Sequence, residues 1–232
     1  MRNEFPDSEK SANYAFRLFG AIVAIFCANP VFGQSVSSCG SLTNAYGPLD
    51  YRTEKNDSRV VLEYHFTPEV EALIRGRSGT IGGDIDYTLR AIPNNHRALI
   101  AMMRLGEKEK TDKPRDSQYT VECWFERAVL WRPDDSIVRM IYSTYLNGKG
   151  RGAEALKQLE TASVYAKDNP FTHYNIGLHY FDMKNYERAL MQAHKALTLE
   201  FNRTELRDKL QSVGKWREPP VNPPSPPIDK TP

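Results

Sequence analysis

The sequence predicts an all-α fold built from antiparallel helical hairpins. Between Pro170 and Phe201, apolar or small residues recur at spacings of three and four in two segments, which places each set on one face of a helix. A short polar stretch, 182–185, separates the two segments, so the two helices must run antiparallel. Gly177 on the first helix and Ala189 on the second lack bulk where the helices would touch, which allows their backbones to approach closely.

The second helix of this hairpin has counterparts earlier in the chain. Four sets of residues occupy equivalent positions, at successive steps of 40, 34 and 34 residues along the sequence. The sets are Ile81, Ile85, Thr88, Pro93; Val121, Phe125, Ala128, Pro133; Ala155, Leu159, Ala162, Lys167; and Ala189, Ala193, Ala196, Phe201. Two equal steps indicate a repeat, so we expect four hairpins between about residues 67 and 203.

The repeat resembles the tetratricopeptide repeat, a 34-residue helical hairpin, in an exported bacterial protein. The family's small, aromatic and alanine positions correspond to Gly177, Tyr180, Ala189 and Ala196. The departures from the pattern are His173, Ala193 and Phe201. The resemblance implies a right-handed superhelix of about four hairpins, whose concave face is lined by the first helix of each pair and binds a protein or peptide partner.

Carrying the family's groove positions over gives a candidate binding surface. The residues are Arg97, Ile100, Arg104, Arg139, Ser143, Tyr174, Asn175, Leu178 and Phe181. We expect a peptide segment in this groove, with arginines pairing to a carboxylate and aromatic side chains accepting apolar ones. Some family members grip a C-terminal carboxylate, but only Arg139 and Asn175 fall near the positions that do so.

The predicted repeat domain spans residues 67–216. Its first hairpin begins at Thr67 and uses Val70, Leu73 and Ile74 as the apolar face of its first helix. The charged stretch 107–118 accounts for the longer step as an insertion, either a solvated loop or an extended helix end. A helix over 203–213 would cap the stack with a polar outer face, and the proline-rich tail 217–232 is expected to be disordered.

Residues 1–33 are typical of an export signal. The apolar run from Leu18 to Phe32 follows Arg17, and small residues allow cleavage before Gln34. Because the run is shorter than the ~20 residues that cross a bilayer, we expect a periplasmic or secreted mature chain without a membrane span. Two alternatives stay open: an uncleaved N-terminal membrane anchor, and a lipid anchor on Cys39.

An irregular N-terminal arm is predicted over 34–66. Within it, 59–66 is rich in β-branched and aromatic residues, which favours a short strand. Since Cys27 lies in the signal, Cys39 and Cys123 remain as an even pair in an oxidising compartment. Two interpretations stay open: a Cys39–Cys123 disulfide that pins the arm to the second hairpin, or two free thiols.

The sequence contains no recognisable catalytic set. Its net charge of +2, without a basic stripe, argues against a nucleic-acid partner. The five histidines lack metal-ligand spacing, and no nucleophile has a paired base, so we expect no metal, no cofactor and no enzymatic activity. Two function classes compete: an exported scaffold or adaptor that binds a protein, and an accessory or enzyme-like protein of an envelope or polysaccharide pathway, with its site between the arm and the groove.

Overall fold

The computed structural model describes residues 39–219, which form ten α-helices and no β-strand. The helices are α1 (Lys55–His65), α2 (Pro68–Glu71), α3 (Ile81–Ala91), α4 (His96–Glu109), α5 (Val121–Trp131), α6 (Ser136–Gly148), α7 (Gly152–Ala166), α8 (Pro170–Asp182), α9 (Tyr186–Thr198) and α10 (Glu205–Ser212). The all-α prediction is confirmed over this range. The predicted signal and residues 220–232 of the predicted tail lie outside the described residues.

Successive helices pack as hairpins, and each hairpin contacts the next. Helix α6 pairs with α7 and α8 pairs with α9, while α7 packs against α8. The first helices of successive hairpins also meet, since α4 contacts α6 and α6 contacts α8. No helix in residues 39–219 has the length and apolar character needed to cross a membrane.

Most of the helices are capped at their N-terminus by the side chain of the residue that precedes them. The side chain of the N-cap residue accepts a hydrogen bond from a backbone N–H of the first turn, which would otherwise have no partner within the helix. These N-cap residues are Thr80, Asn95, Thr120, Asp135, Asn169 and Asn185. The starts of these six helices therefore have a local origin in the sequence.

Gly177 provides room for two neighbouring helices. A Cβ atom at this position would lie 2.4 Å from Leu206 Cδ2 of α10 and 3.3 Å from Gln192 Cβ of α9. Ala189, expected opposite Gly177, is fully buried. The small residue thus permits the close approach of α8 and α9 that the sequence predicts, and it also admits α10.

The strand predicted over 59–66 is wrong, because this segment belongs to α1. Ser58, Val61, Leu62 and His65 lie at helical spacing and are buried or partly buried. A lone strand would leave its backbone groups without partners, whereas a helix satisfies them internally. Helix α1 packs on α3, so the irregular arm within the described chain ends at residue 54.

The first hairpin is therefore formed by α1 and α3. Its first helix is α1, and not the segment that begins at Thr67. Helix α2 has only four residues, Leu73 adopts a left-handed backbone conformation, and Ile74 is 71% exposed. A left-handed residue cannot continue a right-handed helix, so the helix ends before Leu73, which still packs on the first core cluster, whereas Ile74 faces solvent.

Most of the stretch 107–118 is exposed, as the sequence predicts, but the stretch is anchored to the preceding hairpin at a few points. Its first three residues belong to α4, and Pro114 and Ser117 are buried. The Gln118 N–H donates to Asp86 Oδ1 at 2.7 Å, and Trp124 Nε1 donates to Ser117 Oγ at 3.0 Å. These contacts tie the insertion to α3 and to the start of α5.

The predicted terminal helix is confirmed as α10. Leu206 and Leu210 are buried against the core that α8 and α9 also form, and Trp216 packs on the same cluster. Because the remaining α10 side chains are mostly exposed, this helix gives the stack a polar end.

We expect replacement of Gly82 by alanine to destabilise the fold. The added Cβ would lie 2.0 Å from the carbonyl oxygen of Arg115, a backbone atom that moves only if the insertion shifts. A loss of about 1–3 kcal/mol in the free energy of unfolding is expected from such overpacking. Urea titration of Gly82→Ala measures it. Gly152→Ala, where nothing lies within 4 Å of the new atom, is the matched control and should stay within about 1 kcal/mol of the wild type.

Candidate functional site

Three of the predicted groove residues lie on α4, and two of these remain open to solvent. Arg97 is exposed, but its guanidinium pairs with Glu71. Arg104 is exposed and forms no ion pair with any residue of 39–219. Ile100 is partly buried against the first core cluster. Arg104 is therefore the predicted α4 cation whose charge is free to meet a partner.

The predicted groove residues of α6 are buried. Arg139 Nε donates to the Pro133 carbonyl at 2.8 Å and Nη1 donates to Gln158 Oε1 at 2.9 Å, and burial lowers the pKa of Arg139. Ser143 is also buried, with its hydroxyl 3.9 Å from Met183 Sδ. Both side chains hold hairpins together and are not available to an external peptide.

The four groove residues predicted on α8 divide between packing and surface. The Tyr174 ring is buried, and its hydroxyl donates weakly to Glu205 at 3.4 Å. Asn175 is partly exposed and donates to the Phe171 carbonyl. Leu178 and Phe181 are partly buried. The continuous groove implied by the repeat resemblance thus retains Arg104, with Ile100, Asn175, Leu178 and Phe181 partly accessible.

A cleft opens where α4 and α6 end. It has a volume of about 510 Å³, which is within the range of small-ligand and peptide-side-chain sites. Its lining residues are Met103, Gly106, Glu107, Lys110, Thr111, Asp112, Val121, Thr144, Tyr145, Gly148 and Lys149. The insertion 107–118 supplies four of them, so the segment that lengthens the second repeat also forms one wall of the cleft.

Fixed charges flank an apolar floor in the cleft. Lys149 Nζ lies 2.6 Å from Asp112 Oδ1, and this hydrogen bond raises the pKa of Lys149. Burial raises the pKa of Tyr145, which keeps its hydroxyl protonated at neutral pH. Neither shift brings a group toward neutral pH, as proton-transfer chemistry would require. The arrangement suits binding, because the partly exposed side chain of Met103 offers apolar contact and the charges can orient a ligand.

None of the groove residues that the sequence predicts lines this cleft. The alternating charges of 107–118 and the glycine-rich turn after Asn147 mark its two walls, and they are signals that could have located it. The walls become neighbours only because α4 packs on α6.

The N-terminal arm is fastened to α5 by a covalent bond and a buried cation. Cys39 Sγ and Cys123 Sγ lie 2.06 Å apart, the distance of a disulfide bond, as one of the two interpretations of the sequence predicts. One turn further along α5, Arg127 is 1% exposed and donates to the carbonyl oxygens of Cys39 and Ser41 at 2.9 and 2.8 Å. Burial lowers the pKa of Arg127, and three backbone carbonyls, including that of Gly40 at 3.4 Å, solvate its charge.

A buried polar network joins the arm to two inter-hairpin loops. Asn94 Nδ2 donates to Asp50 at 2.8 Å and to Asp135 at 2.9 Å. Arg52 and Arg132 also donate to Asp50, at 2.9 and 2.6 Å. Burial alone would raise the pKa of Asp50, but these hydrogen bonds outweigh it and lower that pKa.

The second carboxylate of the network behaves similarly. Burial would raise the pKa of Asp135, but the hydrogen bond and charge of His96, whose Nε2 lies 2.9 Å from Asp135 Oδ2, lower it together with the Asn94 bond. The same carboxylate caps α6 by accepting from the N–H groups of Ile137 and Val138. Each carboxylate oxygen of Asp50 and Asp135 has at least one hydrogen-bond partner within the protein, which indicates a structural role for this cluster.

The other histidines contact different partners. His65 Nδ1 lies 3.0 Å from Asp84, His173 Nδ1 lies 2.7 Å from Gln192, and His179 Nδ1 lies 3.3 Å from the Thr144 hydroxyl. Across residues 39–219, one group of three possible metal ligands has its ligand atoms within 4.8 Å of one another: Cys39, Cys123 and Glu126. Its two sulfurs are joined to each other.

Comparisons with known proteins add no family. A scan against protein-family models finds no model that matches the chain, and a search of curated proteins finds no similar sequence. Any functional assignment therefore depends on the geometry of the cleft and of the exposed groove residues.

We expect the buried network to make the fold sensitive to acid. In the unfolded chain, aspartates take up protons near pH 4, whereas the lowered pKa values of Asp50 and Asp135 delay uptake in the folded state. The unfolded state therefore binds more protons as the pH falls below about 4, so stability is full above that pH and is lost below it.

Urea unfolding at pH 7, 4 and 3 measures this loss. Asp50→Asn should show a smaller drop between pH 7 and pH 3 than the wild type does, because one of the two shifted groups is gone. Asp168→Asn alters an exposed carboxylate of the α7–α8 loop and should keep the wild-type drop. An equal drop in Asp50→Asn and wild type would contradict the network's role.

Proposed function

We propose that this chain is an exported scaffold or adaptor that binds a peptide segment of a protein partner in the cell envelope. The observation that carries the proposal is the cleft of about 510 Å³ between the ends of α4 and α6. It is large enough for one or two peptide side chains, and its lining combines apolar contact with charges of both signs.

A superhelix of the tetratricopeptide type is part of this proposal. Supporting it, the first helices of successive hairpins contact one another from α4 to α6 to α8, and α10 follows on α8. In such a stack the first helices line the concave face. The cleft then lies at one edge of that face, beside the solvent-exposed part of the groove.

The ligand chemistry follows from the side chains that remain free. Met103, which is partly exposed, offers contact to an apolar anchor residue. Arg104, exposed and without an ion pair among the described residues, can pair with a carboxylate of the same peptide. We infer a peptide with an apolar residue flanked by an acidic one.

An extracytoplasmic location is consistent with the bridged cysteines. Disulfides persist in oxidising compartments and are rare in the cytosol. Together with the apolar N-terminal run in the sequence, the Cys39–Cys123 pair supports export.

Filling the cleft should abolish peptide binding without disturbing the fold. Peptides selected from a displayed random library on the wild type provide the ligand, and titration calorimetry or fluorescence anisotropy provides the Kd. Gly148 lines the cleft, and a Cβ there meets nothing within 4 Å, so Gly148→Trp places an indole in the open space. We expect at least tenfold weaker binding, about 1.4 kcal/mol.

Gly152→Trp is the matched control, since Gly152 also has open space around it and does not line the cleft. Its Kd should equal that of the wild type. If the selected peptides bind Gly148→Trp and the wild type equally, the binding surface lies outside the cleft and the proposal is wrong.

Charge reversal at Arg104 tests the acidic flank of the peptide. Arg104→Glu should weaken binding of the selected peptide by several-fold at low salt and less at high salt, because an exposed ion pair is screened. Replacing the peptide's acidic residue with lysine should restore binding to Arg104→Glu. Arg59→Glu, at an exposed arginine of α1, should leave both affinities unchanged; an equal effect there would indicate a nonspecific charge effect.

A further inference from the structure

The two sulfurs of the disulfide differ in accessibility. Cys39, the first described residue of the arm, is fully buried, whereas Cys123 is partly exposed on the first turn of α5. A thiolate that attacks a disulfide must reach one sulfur and displace the other. Access from solvent therefore favours attack at Cys123 and departure of Cys39.

The position of Cys123 in its helix suits it to thiol chemistry. Cys123 is the third residue of α5, and its N–H donates to the N-cap side chain of Thr120 at 3.2 Å. The positive end of the helix dipole stabilises a thiolate near the first turn. Cys123 is thus the better stabilised thiolate of the pair, which favours its release from a mixed disulfide, whereas departure of Cys39 from the intact bond needs a proton donor.

A carboxyl group stands beside the other sulfur. Glu126 Oε2 lies 2.9 Å from Cys39 Sγ, one turn along α5 from Cys123. Glu126 is exposed on its outer side. The partial desolvation of its carboxyl beside the disulfide and the nearby charge of Glu122 raise its pKa, against the opposing charge of Arg151. A protonated carboxyl at this distance can donate to the sulfur that becomes the leaving group.

We propose that Cys39–Cys123 is an exchange-active disulfide, in which an external thiol attacks Cys123 Sγ while Glu126 protonates the departing sulfur of Cys39. The reductant is a low-molecular-weight thiol such as glutathione, or a protein dithiol. This activity is independent of the peptide cleft and goes beyond the proposed binding function.

The exchange balances in two steps. The attacking thiolate forms a new S–S bond with Cys123, the Cys39–Cys123 bond breaks, and the electron pair left on Cys39 takes the Glu126 proton. A second thiolate then attacks the external sulfur of the mixed disulfide and releases the Cys123 thiolate. The reductant leaves as its own disulfide, two electrons have entered the protein, and Glu126 regains a proton from water.

Opening the bond need not release the arm. The carbonyls of Cys39 and Ser41 stay bonded to the Arg127 guanidinium, which also lies over the Tyr119 ring at 4.6 Å. The arm is further held where Leu49 N–H donates to the Ala91 carbonyl at 2.8 Å. The two sulfurs therefore remain close after reduction, and the bond can form again without refolding.

The site of attack is tested on the folded, oxidised protein with reduced glutathione. The reaction is quenched with N-ethylmaleimide, and peptide mass mapping locates both labels. We expect glutathione on Cys123 and the maleimide on Cys39. Glutathione found chiefly on Cys39, or reduction that occurs only in denaturant, overturns the proposal.

The role of Glu126 is tested by Glu126→Gln, which keeps the side-chain shape and removes the acid. We expect native-state reduction to slow by at least tenfold, within the range of general-acid effects. The wild-type rate, corrected for the thiolate fraction of the reductant, should fall as Glu126 ionises, and the variant should lose this pH dependence.

Glu63→Gln, at an exposed carboxylate of α1, is the matched control and should reduce at the wild-type rate. Thermal unfolding of the oxidised proteins verifies that both variants fold. If Glu126→Gln folds and retains both the rate and the pH profile of the wild type, Glu126 is not the proton donor and the proposal fails.

Discussion

The close packing of neighbouring helices through small residues is the constraint on which this fold depends. No helix here can bury its apolar face alone, so each needs the next hairpin to cover it. Gly177, Ala189 and Ala196 let backbones approach where larger residues would hold them apart. Helix α6 shares both cores: Tyr142 belongs to the first cluster and Met140 to the second. Loss of packing at α6 would therefore uncouple the two halves of the stack.

Buried charges add to apolar contact where the arm meets the helices. Leu49 and Tyr51 of the arm pack on a small apolar cluster, and the arm is held further by the disulfide, by the Asp50–Asn94–Asp135 network and by Arg127. Such polar contacts cost desolvation, but they are directional, and a fully engaged network admits a single arrangement of the loops. The arm consequently orients the loops that connect the first three hairpins.

The proposed binding cleft depends on that orientation. Its walls come from α4, α6 and the insertion, and the insertion is placed by contacts with α3 and α5. A rigid helical scaffold that presents a shaped gap between element ends is a common basis for recognition. The disulfide lies on α5, whose first residue, Val121, also lines the cleft. The disulfide proposed to be exchange-active and the proposed binding cleft thus share α5.

The sequence by itself determined the helical class, the two C-terminal hairpins and the terminal helix, because these follow from local periodicity. It also identified Cys39 and Cys123 as possible partners, since only two cysteines remain outside the apolar N-terminal run. Tertiary structure alone decided that 59–65 is helical, that Arg139, Ser143 and Tyr174 are buried, and that the insertion forms a cleft wall. Periodicity shows which residues share a face of a helix, but only packing decides which neighbour covers that face and which stays open to a ligand.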